Sequence, residues 1–295
     1  MEKAYIFEFI GTLVLVLFGD GVCAACSLNK SKAKGGGWVV IALAWGLAVM
    51  MGVLVAGPVS GAHLNPAVTL GLAIAGKFAW GQVLGYIVAQ MLGGFVGALL
   101  VYVFYKDHYK ATSDEPDTML GTFCTMPAIW NPWRNFLSEL IATTLLVFII
   151  LAIGFEGNAF QIGGAPASTG AIGAWPVTCL IMALGMSLGG TTGYAMNPAR
   201  DLSPRCAHAV LPIPGKRDSG WNYSWVPVAG PMLGACLAAG LFLLVFYASV
   251  YAKAARGTVG APGCCMLAGI AGIRACRRRR GRRRRRGRGR YSCGW

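Results

Sequence analysis

Two asparagine–proline–alanine triplets, Asn65-Pro66-Ala67 and Asn197-Pro198-Ala199, stand 132 positions apart, each inside an apolar run. Proline has no backbone N–H and is unwelcome in a helix interior, yet it suits the first turn, where that N–H lacks a partner anyway. Asparagine is a good helix cap. Both triplets therefore predict a helix that begins where the surroundings are too apolar to solvate a helix end. The asparagine amide offers two donors and an acceptor, part of which ties the two caps together. The stretches before the asparagines, Gly61, Ala62, His63 and Gly193, Tyr194, Ala195, are expected to run non-helical and to turn their carbonyls inward. The chemistry of such a set is hydrogen-bond exchange: a file of acceptors, two donors at its middle and an apolar wall opposite. It suits small neutral molecules. It does not suit a dehydrated cation, because half-helix N-termini carry partial positive charge and the sequence offers no ring of carboxylates.

A few ionisable residues accompany the triplets. Arg200 falls on the first turn after the second one, and a charge at such a place is a functional candidate. Asp201 beside it reads as a local partner of the half-helix start. Glu8 and Glu139 occupy equivalent places, 57 and 58 positions before the two asparagines. They are expected to accept hydrogen bonds from loop backbone that has no helix to satisfy it, in preference to relaying protons. His63 reads as a loop brace. Asp20 has no acidic counterpart in the second half of the chain and is left without a role. No nucleophile–base pair and no cluster of metal ligands appears, so neither an enzyme nor a cofactor or metal site is expected.

Those residues must be positioned by elements that suit a bilayer. Of the 295 residues 56% are hydrophobic and only 13% charged, about half the charge of a typical soluble domain, and several apolar runs approach the roughly 20 residues a spanning helix needs. Six spans are predicted at about 5–27, 38–57, 83–105, 135–155, 173–190 and 224–250. The stretches after the triplets, 67–75 and 199–209, are too short to cross and are predicted to be half-helices. The first span lacks a good cleavage context and reads as a retained helix. A polar connection, 106–134, separates two halves that repeat: "FEFIGTLVLVLFG" matches "LSELIATTLLVFII" at an offset of 131, and "AQMLGGFVGALL" resembles "GPMLGACLAAGL". Three spans per half is odd, so the copies face opposite ways, an inverted repeat with its working site near the midplane. The predicted fold is thus all-α: six transmembrane helices plus two half-helices in two inverted three-span repeats, about 4–105 and 134–252, within a membrane domain of 1–255.

The formal net charge of +15 misleads. From Arg256 onward stand 13 arginines and no acids, which leaves 13 basic against 11 acidic residues, or +2, in the body. No nucleic-acid partner is expected for the body. The segment 256–295 is low in complexity and is expected to be disordered. Ten cysteines show no framework; Cys23 and Cys26 form a C-x-x-C at the end of an apolar helix and read as packing residues. Gly93-x-x-x-Gly97, Gly185-x-x-x-Gly189 and Gly230-x-x-x-Gly234 offer small faces for close helix contact. The positive-inside signal is mixed: Lys30, Lys32 and Lys34 favour the first loop inside, whereas Lys3, Lys253 and the arginine tail favour cytoplasmic termini, and the tail outweighs the loop.

The double triplet, its contexts "SGAHLNPAVT" and "GYAMNPARD", and the inverted three-plus-three organisation resemble the major intrinsic proteins, the aquaporins, over about residues 4–252. The aspartate after the arginine in "NPARD" resembles the glycerol-facilitator branch in particular. The resemblance implies a narrow filter formed by Trp45, Gly185, Tyr194 and Arg200, with Tyr194 where phenylalanine is commoner. Glycine at position 185, where water-only members carry histidine, implies room for a polyol. Ion exclusion by an arginine and the positive ends of half-helices is the established account of aquaporin-type pores and is taken over as such. The function so implied is a passive channel for glycerol, related small neutral solutes and water, in the plasma membrane among its lipids, as a homotetramer with a pore in each subunit. A water-selective channel and an ion-coupled secondary transporter are the alternatives.

Overall fold

A computed structural model describes residues 2–155, 161–162, 165–166 and 170–247. Its helices begin with α1 (Glu2–Ser27), α2 (Gly37–Ser60), the half-helix α3 (Pro66–Ile74) and α4 (Trp80–Phe104). Two short helices, α5 (Lys106–Lys110) and α6 (Pro116–Leu120), follow in the connection between the halves. They were absent from the sequence reading, because a single turn closed by Gly121 or Ala111 leaves no periodicity to detect. The second half repeats the order with α7 (Pro132–Ile153), α8 (Trp175–Leu188), the half-helix α9 (Pro198–Val210) and α10 (Val226–Phe242), which continues into a π turn, Leu243–Tyr247. A two-residue antiparallel pairing, Gln161–Ile162 with Ala165–Pro166, is the extended structure among the described residues. Residues Met1–Phe246 form one compact unit; the arginine-rich segment 256–295 lies outside the described residues.

Among the described residues five helices are long and apolar enough to cross a membrane, and the fold is the all-helical one that the hydropathy and the two triplets predict. The fifth predicted span is the shortest: α8 has 14 residues and is preceded by a 3-10 turn, Gly170–Ala174. α2 runs three residues past its predicted end, through Pro58 in its last turn, and stops at Gly61, whose φ of 80° closes the helix left-handed.

Packing follows the repeat. α1 lies against α2 and α4, and α7 against α10. The close approaches use the predicted small residues: a Cβ on Gly93 would sit 2.2 Å from the Phe9 carbonyl oxygen, and one on Gly234 would sit 2.6 Å from that of Leu140. The half-helices cross over. α3 packs mainly on α10 of the second half, and α9 mainly on α4 of the first. Each half therefore completes the core of the other, and the two half-helix N-termini are brought together between them.

Candidate pore

Each half-helix starts as its residue types dictate. Asn65, extended at φ −160°, accepts the Ala67 N–H on Oδ1 at 2.8 Å, with Pro66 in the first turn. Asn197 accepts from Ala199 N at 2.9 Å and Arg200 N at 3.2 Å, with Pro198 in the first turn. The amide nitrogens cross between the halves. Asn65 Nδ2 donates to the Met196 carbonyl at 2.9 Å, and Asn197 Nδ2 donates to the Leu64 carbonyl at 2.8 Å. An amide has two N–H groups, so one per asparagine remains for whatever occupies the cavity that both line.

The loops before the asparagines hold an uncommon backbone. Gly61, Ala62 and Leu64 have φ of 80°, 50° and 51°; Gly193, Tyr194 and Met196 have 83°, 40° and 49°. Non-glycine residues at positive φ are strained, and each loop is held there by a buried carboxylate. Glu8 accepts His63 N at 2.9 Å and Leu64 N at 2.8 Å, together with Ser60 Oγ at 2.7 Å and Gln90 Nε2 at 2.8 Å. Glu139 accepts Ala195 N at 2.9 Å, Met196 N at 2.8 Å and Thr192 Oγ1 at 2.6 Å. His63 Nδ1 lies 3.1 Å from Thr69 Oγ1, and its ring packs on Phe78 and Tyr86.

A cavity of about 180 Å³ runs along this seam. Its lining takes in residues 61–65 and 194–197 of the two loops and the aliphatic residues Leu15, Val49, Val53, Leu146, Ile150 and Ile181. Trp45, Tyr194 and Arg200 border the same cavity. The Arg200 guanidinium carbon lies 4.0 Å from the centroid of the Trp45 ring, within cation–π range. Among the described residues its side chain donates no hydrogen bond to the protein, although Asp20 Oδ1 lies 4.0 Å from Nη1.

Three expected site residues are placed differently. Gly185 does not border the cavity, and its corner is filled: a Cβ there would lie 2.8 Å from Tyr194 Cζ. The Tyr194 ring occupies the space that the missing side chain provides, steadied edge-on by Trp38, whose Nε1 donates to the Gly185 carbonyl at 2.8 Å. Gly193 does not border the cavity either. Asp201 does not serve the start of its own half-helix. It accepts Thr125 N at 2.7 Å and Thr125 Oγ1 at 2.6 Å, and pairs with Arg205 Nη2 at 2.9 Å. Arg205 is fully buried and donates onward to the carbonyls of Ser219, Gly220 and Thr125. This pair pins the connection between α6 and α7 and the one that follows α9. Arg205 escaped the sequence reading although its spacing of four from Asp201 on one helix face was a usable signal. So did Gln90, a lone amide in an apolar span, and the carbonyls of Leu64 and Met196.

A family model described as Major intrinsic protein matches residues 1–242. The chain is 53% identical over 235 residues to glycerol uptake facilitator protein 3 of Lactiplantibacillus plantarum, covering 80% of this chain and 93% of that one. It is 50% identical over 244 residues to the glycerol uptake facilitator protein of Bacillus subtilis, covering 83% of each. The X-ray structure of the aquaglyceroporin from Plasmodium falciparum superimposes with a TM-score of 0.72 at 31% identity, covering 85% of this chain and 98% of that one.

Proposed function

The chain belongs to the major intrinsic protein family, and from that membership we infer that it is a passive channel for glycerol, related small neutral solutes and water. The observation that carries the solute class is the make-up of the constriction. Arg200 presents uncommitted donors while stacked on Trp45, and the Tyr194 ring borders the same cavity. A polyol has one edge of hydroxyls and one of C–H groups. The hydroxyls accept from Arg200 and donate to the loop carbonyls, and the carbon edge lies on the aromatic faces and the aliphatic wall. At the meeting of the half-helices the free N–H of each asparagine holds the solute's oxygen as acceptor. Each hydrogen bond is exchanged for a similar one at the next position, so passage needs no moving part. A cation loses its water against the Arg200 charge and two positive helix ends. The names of the relatives support glycerol as the solute.

We also take the channel to work in the plasma membrane with both termini cytoplasmic, as a homotetramer with a pore per subunit, and residues 1–255 to suffice for permeation without the tail.

The test is swelling of proteoliposomes holding the full chain, with glycerol and water as paired solutes. Glycerol flux should rise linearly with its gradient and ignore imposed proton and sodium gradients. Uphill accumulation driven by either ion would replace the channel by a coupled transporter.

A further inference from the structure

α1 carries a carboxylate that the pore described above does not use. Asp20 is 1% exposed, and both its oxygens are buried without a hydrogen bond. Its cationic neighbour is Arg200, with Nη1 at 4.0 Å from Oδ1. The offset of 131 that relates Glu8 to Glu139 takes Asp20 to Leu151, which is buried in the second half. A buried acid without hydrogen bonds is far more costly than a leucine, and the chain bears that cost in one copy only, beside its constriction.

The neighbouring residues of α1 serve the same place. A Cβ on Gly19 would lie 2.2 Å from Trp45 Cζ3, so the indole rests on bare helix backbone. Trp45 Nε1 donates to Cys23 Sγ at 3.4 Å, which turns its polar edge away from the lumen. Gly19, Asp20 and Cys23 lie at i, i+1 and i+4, a single patch of α1 behind the pore wall.

We propose that Asp20 is a positioning residue for the constriction: it draws the Arg200 guanidinium back over the Trp45 ring and offsets its charge, which widens the range of neutral solutes that pass. The inference rests on the channel reading. At 4.0 Å the carboxylate attracts the guanidinium without engaging its N–H groups, whereas a close bidentate pair would consume two of them. Arg200 is thus restrained and still able to donate to solute. Without the counter-charge the long arginine side chain advances toward the loop carbonyls across the lumen, narrowing it. Water, the smallest solute, is least affected; linear polyols are affected in order of length.

The experiment is paired swelling of proteoliposomes in water, glycerol and the four-carbon polyol erythritol, each flux normalised to folded protein. The variants are wild type, Asp20→Asn, Asp20→Glu, and Arg200→Ala with and without Asp20→Asn. Coupling between neighbouring charges predicts that Asp20→Asn lowers the glycerol-to-water ratio about fivefold, and the erythritol ratio further. Asp20→Glu restores part of the ratio, and Asp20→Asn has no effect on it once Arg200 is alanine. An equal fall in all three fluxes, or an unchanged ratio shift without Arg200, overturns the proposal. If Asp20→Asn does not insert, Asp20→Leu, which carries the residue of the matching position, is read against the same outcomes. A wild-type protein that passes neither glycerol nor water would instead overturn the channel reading itself.

Discussion

The two re-entrant segments, one ending in α3 and the other in α9, share a backbone and an asparagine cap and differ in many of the side chains around them. A shift of 132 positions relates Ser60, Leu64 and Asn65 to Thr192, Met196 and Asn197. In both copies the hydroxyl and two loop N–H groups converge on one buried glutamate. The same shift turns Val68 into Arg200, Thr69 into Asp201 and Ala73 into Arg205. It also turns Val53 and Ala62 into Gly185 and Tyr194, so side-chain bulk that sits on a span in the first half sits on the loop in the second. What is duplicated builds the path. What is not duplicated decides what travels along it.

The comparison is broken most severely at Arg205. Its replacement by alanine strands the Asp201 carboxylate, which is fully buried, and such a loss costs about 3–5 kcal/mol. Thr69→Val, at the position matching Asp201, removes neutral hydrogen bonds and should cost about 1 kcal/mol. Denaturant unfolding of the purified protein in detergent micelles measures both. Equal losses would mean that the buried pair contributes no more than its neutral counterpart.

Next in size is the loss of Arg200. Arg200→Ala should admit a proton or cation leak and change the glycerol-to-water ratio by about one to two orders of magnitude, since a desolvated hydrogen bond from a charged donor is worth roughly 1.5–3 kcal/mol. Val68→Ala, at the matching position, should leave ion exclusion intact. Paired swelling assays and a pH-sensitive dye in the vesicle lumen read the two variants. A leak of equal size in both would remove the asymmetry.

Gly185→Val restores the residue type found at the matching position of the first half. Its Cβ would fall 2.8 Å from Tyr194 Cζ, so the ring must move toward the lumen. Overpacking of this kind costs about 1–3 kcal/mol, and glycerol flux should fall about tenfold with a smaller fall for water. Flux that is unchanged while the protein folds would show that Tyr194 has another place to go.

The smallest effect belongs to the connection that joins the halves. Glu115 accepts from Asn29 Nδ2 at 2.8 Å and Thr118 Oγ1 at 3.1 Å, and Lys34 Nζ lies 3.9 Å away. The Asn29 hydrogen bond first, then that from Thr118, hold its carboxyl below the ordinary value of 4.5. A depressed carboxyl stabilises the fold above its unfolded value, and that contribution fades as the pH falls through the lower folded one. Thermal unfolding should therefore lose a small increment below pH 4.5. Asn29→Ala should flatten that part of the profile, and an unaltered profile would remove Glu115 from the account.

What could be read from the chain alone is what depends on near neighbours in sequence. An asparagine cap acts on the N–H two residues ahead, and a proline acts on its own turn, so both half-helix starts were legible to within a residue. The spans were legible because a bilayer imposes length and composition. The rest depends on contacts across the fold. Asp201 reaches Thr125, 76 positions away, and no periodicity announces that. Gly185 appeared to open a corner because the sequence does not say that the Tyr194 ring lies in it. Arg205 and Gln90 were visible as polar residues in apolar helices, but their partners were not.

The crossed docking of the half-helices bears on how such a protein is made. Chain emerging from a ribosome presents α1 to α4 first. At that stage the surface on which α3 chiefly rests, α10, does not exist, and Asn65 has no Met196 carbonyl to hold. The cavity is lined by both loops and by α1, α2, α7 and α8, so the path is incomplete until the second loop has been made. A half-synthesised molecule therefore holds only one of the two loops that line the path.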